Sequence, residues 1–506
     1  MTRSRSLATT LLAAALLATA ARADDPVTLK VLTFNIWYGG DQVSFAKVIE
    51  AIRLADADIV GLQEPDGKTL QIAALAGYPY ADVRRHILSK FPLFDSGLGE
   101  TTRAEPPPYS IAGVDPDTVH AWAMVSPGKV VAIANTHLTS NPYGPELIRD
   151  GATADQAVAT EIELRLPEAE ALMNGLKPLA DAGVPVILTG DFNAASHLDW
   201  TLAAMATRPQ VKFPVKWPVS ALIEASGFAD SFRTAHPDEA ATPGLTWTAG
   251  MPFPIIPEGE TLDRIDYIFA ANATVINSVL VGEAGNPTVS LSVAPWPSDH
   301  RAVLTTLQLT PADAPALIGV EPSPVVAGQG FLIRVNTPNR TNWTAVVVPR
   351  GAGPDAALTG IADIDPADRP TIRLSTIGIA PGAYDAILLA PDGAEQARTR
   401  FSVIPENAKA TLTLTSATVR PGADIALDFS GAPGFRFDWV GIYHAGEPSV
   451  YNYLGFAYTG ARHQGSLRFP ADVLYEELTP GAYEARLMFD DHYETLAIAP
   501  FTVTAP

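Results

Sequence analysis

The chain has no cysteine among its 506 residues. Disulfides, thiolate metal sites, a cysteine nucleophile and a lipid anchor on a cysteine are therefore not expected. Basic residues are also scarce: 34 Lys and Arg stand against 55 Asp and Glu, a net charge of -21. Residues 24–312 alone hold 18 against 34, a net -16. Each phosphate neutralised on duplex DNA needs a Lys or Arg partner, so tight, unaided duplex nucleic-acid binding is disfavoured and a smaller or less charged substrate is expected. Past the N-terminus no run is long and apolar enough to cross a bilayer. Within residues 1–23, Arg3 and Arg5 precede the apolar run Leu11 to Leu17, and the segment closes on Ala21-Arg22-Ala23 before Asp24. That is the pattern of a removable secretory signal peptide. The expectation is a secreted or periplasmic bacterial protein, held by core burial alone and large enough for more than one domain.

Between Thr28 and Pro311 short β-rich runs alternate with helical patterns. Leu29 to Ile36 and Ile59 to Gln63 read as strands flanking a helix over Val43 to Leu54, with Val43, Ala46, Ile49 and Ile52 at helical spacing. A long helix is expected over Ala154 to Ala182, leading through Gly183 and Pro185 into a strand Val186 to Thr189. This is α/β organisation. After Leu309 the texture changes, from a Pro/Ala-rich stretch at 310–316 to short β-type runs punctuated by Pro and Gly. Two units align there. Trp343, Pro381-Gly382-Ala383-Tyr384 and Phe401-Ser402-Val403 correspond to Trp439, Pro480-Gly481-Ala482-Tyr483 and Phe501-Thr502-Val503, the Pro-Gly-Ala-Tyr segments lying 99 residues apart. The spacing predicts two tandem β-sandwiches, over 318–405 and 406–506. Trp343 and Trp439 are expected in their cores, with glycan or membrane-surface docking as the second reading.

Six apolar, strand-like runs carry a residue able to bind metal or phosphate: Asn35 in VLTFNI, Glu64 in DIVGLQE, His137 in VVAIANTHL, Asp191 and Asn193 in VPVILTGDFNAAS, Asp266 in DRIDYIF, and Asp299 with His300 in PSDHRAVL. Taken singly, each has a bland explanation as a turn residue or a satisfied core group. Together they predict one polar site at one rim of a sheet. Carboxylates and carboxamides are the donors that hard divalent cations prefer, and phosphoester cleavage needs such charge neutralisation, an activated water and a stabilised leaving oxygen.

In order and spacing these segments resemble the endonuclease/exonuclease/phosphatase superfamily, which includes DNase I-type nucleases, apurinic endonucleases, neutral sphingomyelinases and inositol-phosphate phosphatases. The resemblance implies a four-layer α/β sandwich of DNase I type over residues 24–312, ahead of the two tandem β-sandwich domains. It also implies a phosphodiesterase that uses Mg²⁺ (or Mn²⁺ or Ca²⁺), with Asn35, Glu64, Asp191, Asn193 and Asp299 around the metal. Asp191 is implied to orient or deprotonate the attacking water, and Asn193 to hold phosphate or a second metal. His300 would contact the scissile phosphate or act as base, Asp266 would hold its imidazole, and His137 would stabilise the transition state or protonate the leaving group. The run Asp438-Trp439-Val440-Gly441-Ile442-Tyr443 with the later Pro-Gly-Ala-Tyr strand resembles the SKICH type of β-sandwich.

Some features depart from the family. Arg84, Arg85 and His86 stand before Ile87 to Leu93, either bringing positive charge to the phosphate or simply solvated. The insert Glu105 to Tyr109 and the loop Asn141 to Pro145 occupy places where substrate-selecting loops are expected. Inositol-phosphatase relatives carry a Trp before the Gly-Asp pair and an Arg after the later Asp, where this chain has Leu188-Thr189 and Asp266-Tyr267, which weakens a phosphoinositide assignment. Phospholipid headgroups, glycerophosphodiesters and phosphate-decorated glycans lead as substrates; small phosphomonoesters, DNA or RNA cleavage, and a binding protein without activity, are the alternatives.

Overall fold

A computed structural model of the chain describes residues 25–505 apart from 67, 84, 96–118, 249–258, 322–324, 339–341, 365–370, 407–408, 434–437, 451, 460–461, 472–473 and 490–494. The leader over 1–23, Arg84 and the insert 105–109 thus lie outside the described residues. Strands β1 (Val27–Asn35), β2 (Ile59–Gln63), β3 (Tyr80–Asp82), β4 (Ile87–Ser89), β5 (Leu93–Asp95), β6 (His120–Ser126), β7 (Lys129–His137), β8 (Val186–Asp191), β9 (Ala229–Asp230), β10 (Asp266–Ala271), β11 (Ala273–Glu283), β12 (Val289–Val293), β13 (Ala302–Leu309) and β14 (Ala312–Asp313) form two seven-stranded sheets. The first runs β12-β11-β13-β1-β2-β4-β3 and the second β5-β6-β7-β8-β10-β9, with β14 paired to β7.

Period-two alternation explains how the sheets stack. Leu29, Val31 and Ile59 of the first sheet meet Val131, Ile133, Ile187 and Ile268 of the second in a shared core. The alternate residues face outward. Leu32, Phe34, Val60 and Leu62 pack on Val48, Ile49 and Ile52 of the helix Phe45–Ala55. Val130, Ala132, Val186, Leu188 and Phe269 pack on Leu172 and Leu176 of the helix Leu166–Asp181 and Ile223 of the helix Pro218–Ala225. The result is the helix-sheet-sheet-helix layering that the sequence resemblance implies.

Several details differ from the sequence expectation. The first helix starts at Phe45, leaving Val43 and Ala46 exposed, and its buried face is Val48, Ile49, Ala51, Ile52 and Ala55. The long helix is two, Ala154–Leu164 and Leu166–Asp181. Pro167 suits only the first turn of a helix, and Arg165 at the junction is buried, its guanidinium donating to the carbonyls of Thr139, Ser140 and Pro142. The stretch 310–316 packs on the second sheet: β14 pairs with β7, and Ala314 and Leu317 join the core around Phe94 and Val130.

Downstream, strands 317–321, 330–336 and 371–375 face a five-stranded sheet of 325–326, 395–404, 382–389, 343–349 and 359–364. The same order recurs in 411–414, 425–430 and 464–469 against 418–419, 495–503, 481–488, 439–444 and 455–458. Tyr384 packs on Phe401 and donates to the Ala380 carbonyl at 2.6 Å, and Tyr483 packs on Phe501 and donates to the Thr479 carbonyl at 2.9 Å. Trp343 and Trp439 are buried, so these are tandem sandwiches with core tryptophans.

Glu161, on the first helix of the broken pair, is buried; one carboxylate oxygen accepts from the Val219 N–H at 3.0 Å. Burial pushes its carboxyl up to about 7 from 4.5, against the pull of that N–H and of Arg165. The folded state therefore holds a proton that the unfolded chain releases between those values, and stability falls across that window as pH rises. Glu161→Gln keeps the neutral shape. Its denaturation midpoint is expected to match that of the wild type at pH 5 and to exceed it at pH 8, by a stability gain of about 2–3 kcal/mol. An equal difference at both pH values would contradict this assignment.

Candidate active site

All eight residues singled out in the sequence reach the same rim, but of two sheets rather than one. Asn35 ends β1 and Glu64 follows β2 in the first sheet, while His137 and Asp191 end β7 and β8 in the second. Asp266 begins β10, and the Asp299-His300 pair precedes β13, the sequence likewise placing Ser298-Asp299-His300 directly before a strand Ala302 to Leu309. Both strands run antiparallel to their neighbours, Asp266 opposite Asp191 and Val303 opposite Thr33, so their starts reach the rim where β8 and β1 finish. Asn35, His137, Asp191 and Asp266 share the parity of the inter-sheet core residues, so each continues an inward-facing column that changes from apolar to polar toward the rim.

Asp191 is the centre. It is 1% exposed; its Oδ2 accepts from Asn35 Nδ2 at 3.0 Å, and its Oδ1 from the Asn193 N–H at 3.0 Å. His137 Nε2 lies 3.4 Å and His300 Nε2 3.7 Å from Asp191 Oδ2. Asn35 Nδ2 also donates to Glu64 Oε1 at 3.1 Å, and His137 Nε2 stands 4.0 Å from the same oxygen. Asp299 closes the ring, its Oδ1 4.0 Å from His300 Nε2. Burial, with Glu64 and Asp191 beside it, pushes the Asp299 carboxyl up to about 6 against the pull of His300.

The His300-Asp266 pair forms as expected, with Nδ1 2.9 Å from Asp266 Oδ2. Burial opposes charge on this imidazole, but Asp266, Asp191 and Asp299 outweigh it and hold its pKa well above 6.5. Asp191, Asp266 and His300 bring one ligand atom each within 4.8 Å of one another. They make a poor cage, because Asp266 and the imidazole already engage each other. The oxygens left for a hard cation are those of Glu64, Asp299 and Asp191 with the Asn35 carboxamide, a donor set that fits Mg²⁺ or Mn²⁺.

After Gly190 the sequence lets Asp191 and Asn193 face one side as alternate residues of an extended segment, but Asn193 adopts a left-handed φ of 48°. Its N–H caps Asp191 and its Nδ2 donates to the Leu138 carbonyl at 2.9 Å, leaving Oδ1 as its available atom. An accepting oxygen suits a cation or a water better than a phosphate. Arg85 serves neither expected role. Arg85 is buried between Asp82 and Asp95 at 2.5 and 2.7 Å, and His86 Nδ1 is 3.0 Å from Thr69 Oγ1. The loop after His137 is anchored too, with Tyr143 and Pro145 buried and Arg165 bound to its carbonyls.

Four polar residues missing from the sequence expectation form the floor. Gln63 Nε2 donates to Asn135 Oδ1 at 2.7 Å and Thr33 Oγ1 at 3.1 Å, Thr189 Oγ1 donates to Asn135 Oδ1 at 2.8 Å, and Asn135 Nδ2 reaches the Leu62 carbonyl at 2.7 Å. Gly61 makes room, since a Cβ there would lie 2.1 Å from Thr189 Oγ1 and 2.4 Å from Asn135 Oδ1. Thr33, Asn135 and Thr189 each stand two residues before Asn35, His137 and Asp191, so strand parity alone could have marked them. Ser298 and Thr246 were also missed. Ser298 Oγ donates to the Asn35 carbonyl at 2.7 Å and accepts from the His300 N–H at 3.0 Å, while Thr246 Oγ1 accepts from the Asp266 N–H at 3.1 Å.

Stacked sheets carrying carboxylates, a carboxamide and two imidazoles at one rim have the layout of a phosphoester hydrolase. The chain belongs to the endonuclease/exonuclease/phosphatase family, whose model matches residues 32–300. Over 301 residues it is 27% identical to an uncharacterized protein of Caenorhabditis elegans, spanning 54% of this chain and 90% of that one. Among solved structures it is similar to an endonuclease/exonuclease/phosphatase protein from Beutenbergia cavernae, with 18% identity over 74% of this chain and 100% of that one and a TM-score of 0.33. It is also similar to an AP endonuclease from Archaeoglobus fulgidus, with 18% identity over 55% of this chain and 98% of that one and a TM-score of 0.34.

Proposed function

We propose that this protein is an exported, divalent-cation-dependent phosphodiesterase, acting on phospholipid headgroups, glycerophosphodiesters or phosphate-decorated glycans by in-line attack of an activated water. The observation that carries the reading is the meeting of Asp191 with both imidazole Nε2 atoms, at 3.4 and 3.7 Å, beside Glu64 and Asn35. A cation held by Glu64, Asp299, Asp191 and Asn35 would supply charge neutralisation on the phosphoryl oxygens. Asp191, fixed by Asn35 and Asn193, orients the attacking water and takes its proton. His300, kept cationic and oriented by Asp266, places an N–H on the phosphoryl group as its charge develops. His137, exposed at the mouth, gives a proton to the departing oxygen. Convergence of every expected residue weighs against a protein without activity, and the charge of -21 against tight duplex binding.

The test is a panel of bis-p-nitrophenyl phosphate, p-nitrophenyl phosphate, glycerophosphocholine and plasmid DNA, each with Mg²⁺, Mn²⁺ or EDTA. Diester turnover above monoester turnover, and its loss in EDTA, is the expected result. Equal rates in EDTA would contradict the cation, and robust plasmid nicking would overturn the substrate order.

A further inference from the structure

The loop after β1 is bonded to the turn after β2 at the edge of the site. The Trp37 N–H donates to Asn35 Oδ1 at 3.0 Å, the Tyr38 N–H to Glu64 Oε2 at 2.8 Å, and the Gly39 N–H to the Glu64 carbonyl at 2.8 Å. The backbone bends sharply to reach these partners, with φ of 60° at Trp37, 43° at Tyr38, 71° at Gly39 and 57° at Glu64. Residues other than glycine hold such a conformation only where the surroundings impose it. Lys68 supplies a restraint from the outer side. Its backbone is fixed where the helix Thr69–Ala76 begins, the N–H donating to the Pro65 carbonyl at 2.9 Å and the carbonyl accepting from the Ile72 N–H at 2.8 Å. From that anchor Nζ donates to the Gly39 carbonyl at 2.9 Å, pairs with Asp41 and lies 5.1 Å from the centroid of the Phe45 ring. Gly39 leaves space for it, since a Cβ there would stand 2.9 Å from Nζ and 3.3 Å from Cε. One residue, Gly39, thus donates to Glu64 and accepts from Lys68.

We infer that Lys68 is a positioning residue for the cation site: by clamping Gly39 it keeps the Tyr38 N–H on Glu64 Oε2, fixes that carboxylate in one orientation and so raises the affinity for a divalent ion. The inference rests on the cation-dependent reading above. A side chain already held in its bound orientation loses little freedom when the ion arrives, so the clamp lowers the ordering cost of binding. The charge of Lys68 acts in the opposite direction. An ammonium close to a dication repels it, so a purely electrostatic role would make removal of Lys68 tighten binding, whereas loss of the clamp weakens it. The sign of the change separates the two.

The test is Mn²⁺ binding to the full chain, followed by titration calorimetry without substrate, so that the readout does not depend on turnover. Lys68→Met removes both the bond and the charge. Its side chain is 25% exposed, so this exchange leaves the core intact. Gly39→Ala breaks the same bond from the other side, because its methyl group displaces Nζ, and it leaves the charge in place. Each variant is expected to bind Mn²⁺ about three- to tenfold more weakly than the wild type, and the double variant no more weakly than the weaker single one. Unchanged or tighter binding in Lys68→Met would overturn the proposal. So would weakening in Lys68→Met with Gly39→Ala at the wild-type value, or losses that multiply in the double variant, since either would mean that the two residues do not act through one bond. A wild-type chain that binds no Mn²⁺ would instead defeat the cation-dependent reading itself.

Discussion

Replacing Glu64 by Gln is expected to lower turnover of bis-p-nitrophenyl phosphate by about 10²–10³-fold at saturating Mg²⁺, with the melting temperature nearly unchanged. Both oxygens of the Glu64 carboxylate are held by donors of the fold. Glu64 sits in a left-handed conformation directly after β2 and receives the Asn35 carboxamide on one oxygen and the Tyr38 N–H on the other. The amide of Gln has nearly the same shape, so the packing survives, but it brings no charge and turns an N–H₂ toward one of those two donors. The loss should therefore appear in catalysis and in cation affinity together. A variant that keeps near-wild-type turnover with an unchanged Mg²⁺ dependence would remove Glu64 from the site.

The second large effect concerns the imidazole-carboxylate pair. His300→Ala should lose about 10²–10⁴-fold in turnover, because its N–H, oriented by Asp266, meets the charge that develops on the phosphoryl group. Asp266→Asn should lose a comparable factor without touching substrate, since Asp266 acts through the orientation and charge of His300. The double variant should be scarcely worse than either single one, as expected of residues acting as a unit. Asp266 is fully buried, and burial together with Asp191 already pushes its carboxyl upward, so in His300→Ala it takes up a proton rather than remaining as an isolated charge. The fold should survive for that reason. Multiplying single losses in the double variant would mean that the two residues work separately.

Much of this arrangement was legible in the sequence because β-strands convert sequence parity into spatial sidedness. Leu29, Val31, Thr33 and Asn35 are one column, and Val131, Ile133, Asn135 and His137 are another, so an apolar run ending in a polar residue of the same parity marks a rim. Chain direction was not legible. Asp266 and His300 stand at strand starts, and only antiparallel pairing, a long-range property, brings them to the same rim as Asp191 and Asn35. The helix break at Arg165 had a local signal in Pro167, but the loop carbonyls that hold Arg165 at the junction lie more than 20 residues earlier. Asn193 looked like an alternate residue of an extended segment, yet its N–H is captured by Asp191, a local competition that favours a turn. Arg85 looked available to a phosphate until Asp82 and Asp95 were seen to enclose it. The positive φ of Trp37 and Tyr38, at 60° and 43°, carried no warning in the letters beyond Gly39-Gly40, because their N–H groups are drawn to Asn35 Oδ1 and Glu64 Oε2.

The most direct test is anomalous diffraction from a crystal soaked with Mn²⁺ and inorganic phosphate. The expected map has a Mn²⁺ peak bounded by the carboxylates of Glu64 and Asp299 on the side of Asn35 and Asp191, with a phosphate between it and the imidazoles of His137 and His300. A peak seated between Asp266 and His300 instead, or a soaked crystal with no peak near Glu64, would contradict the account.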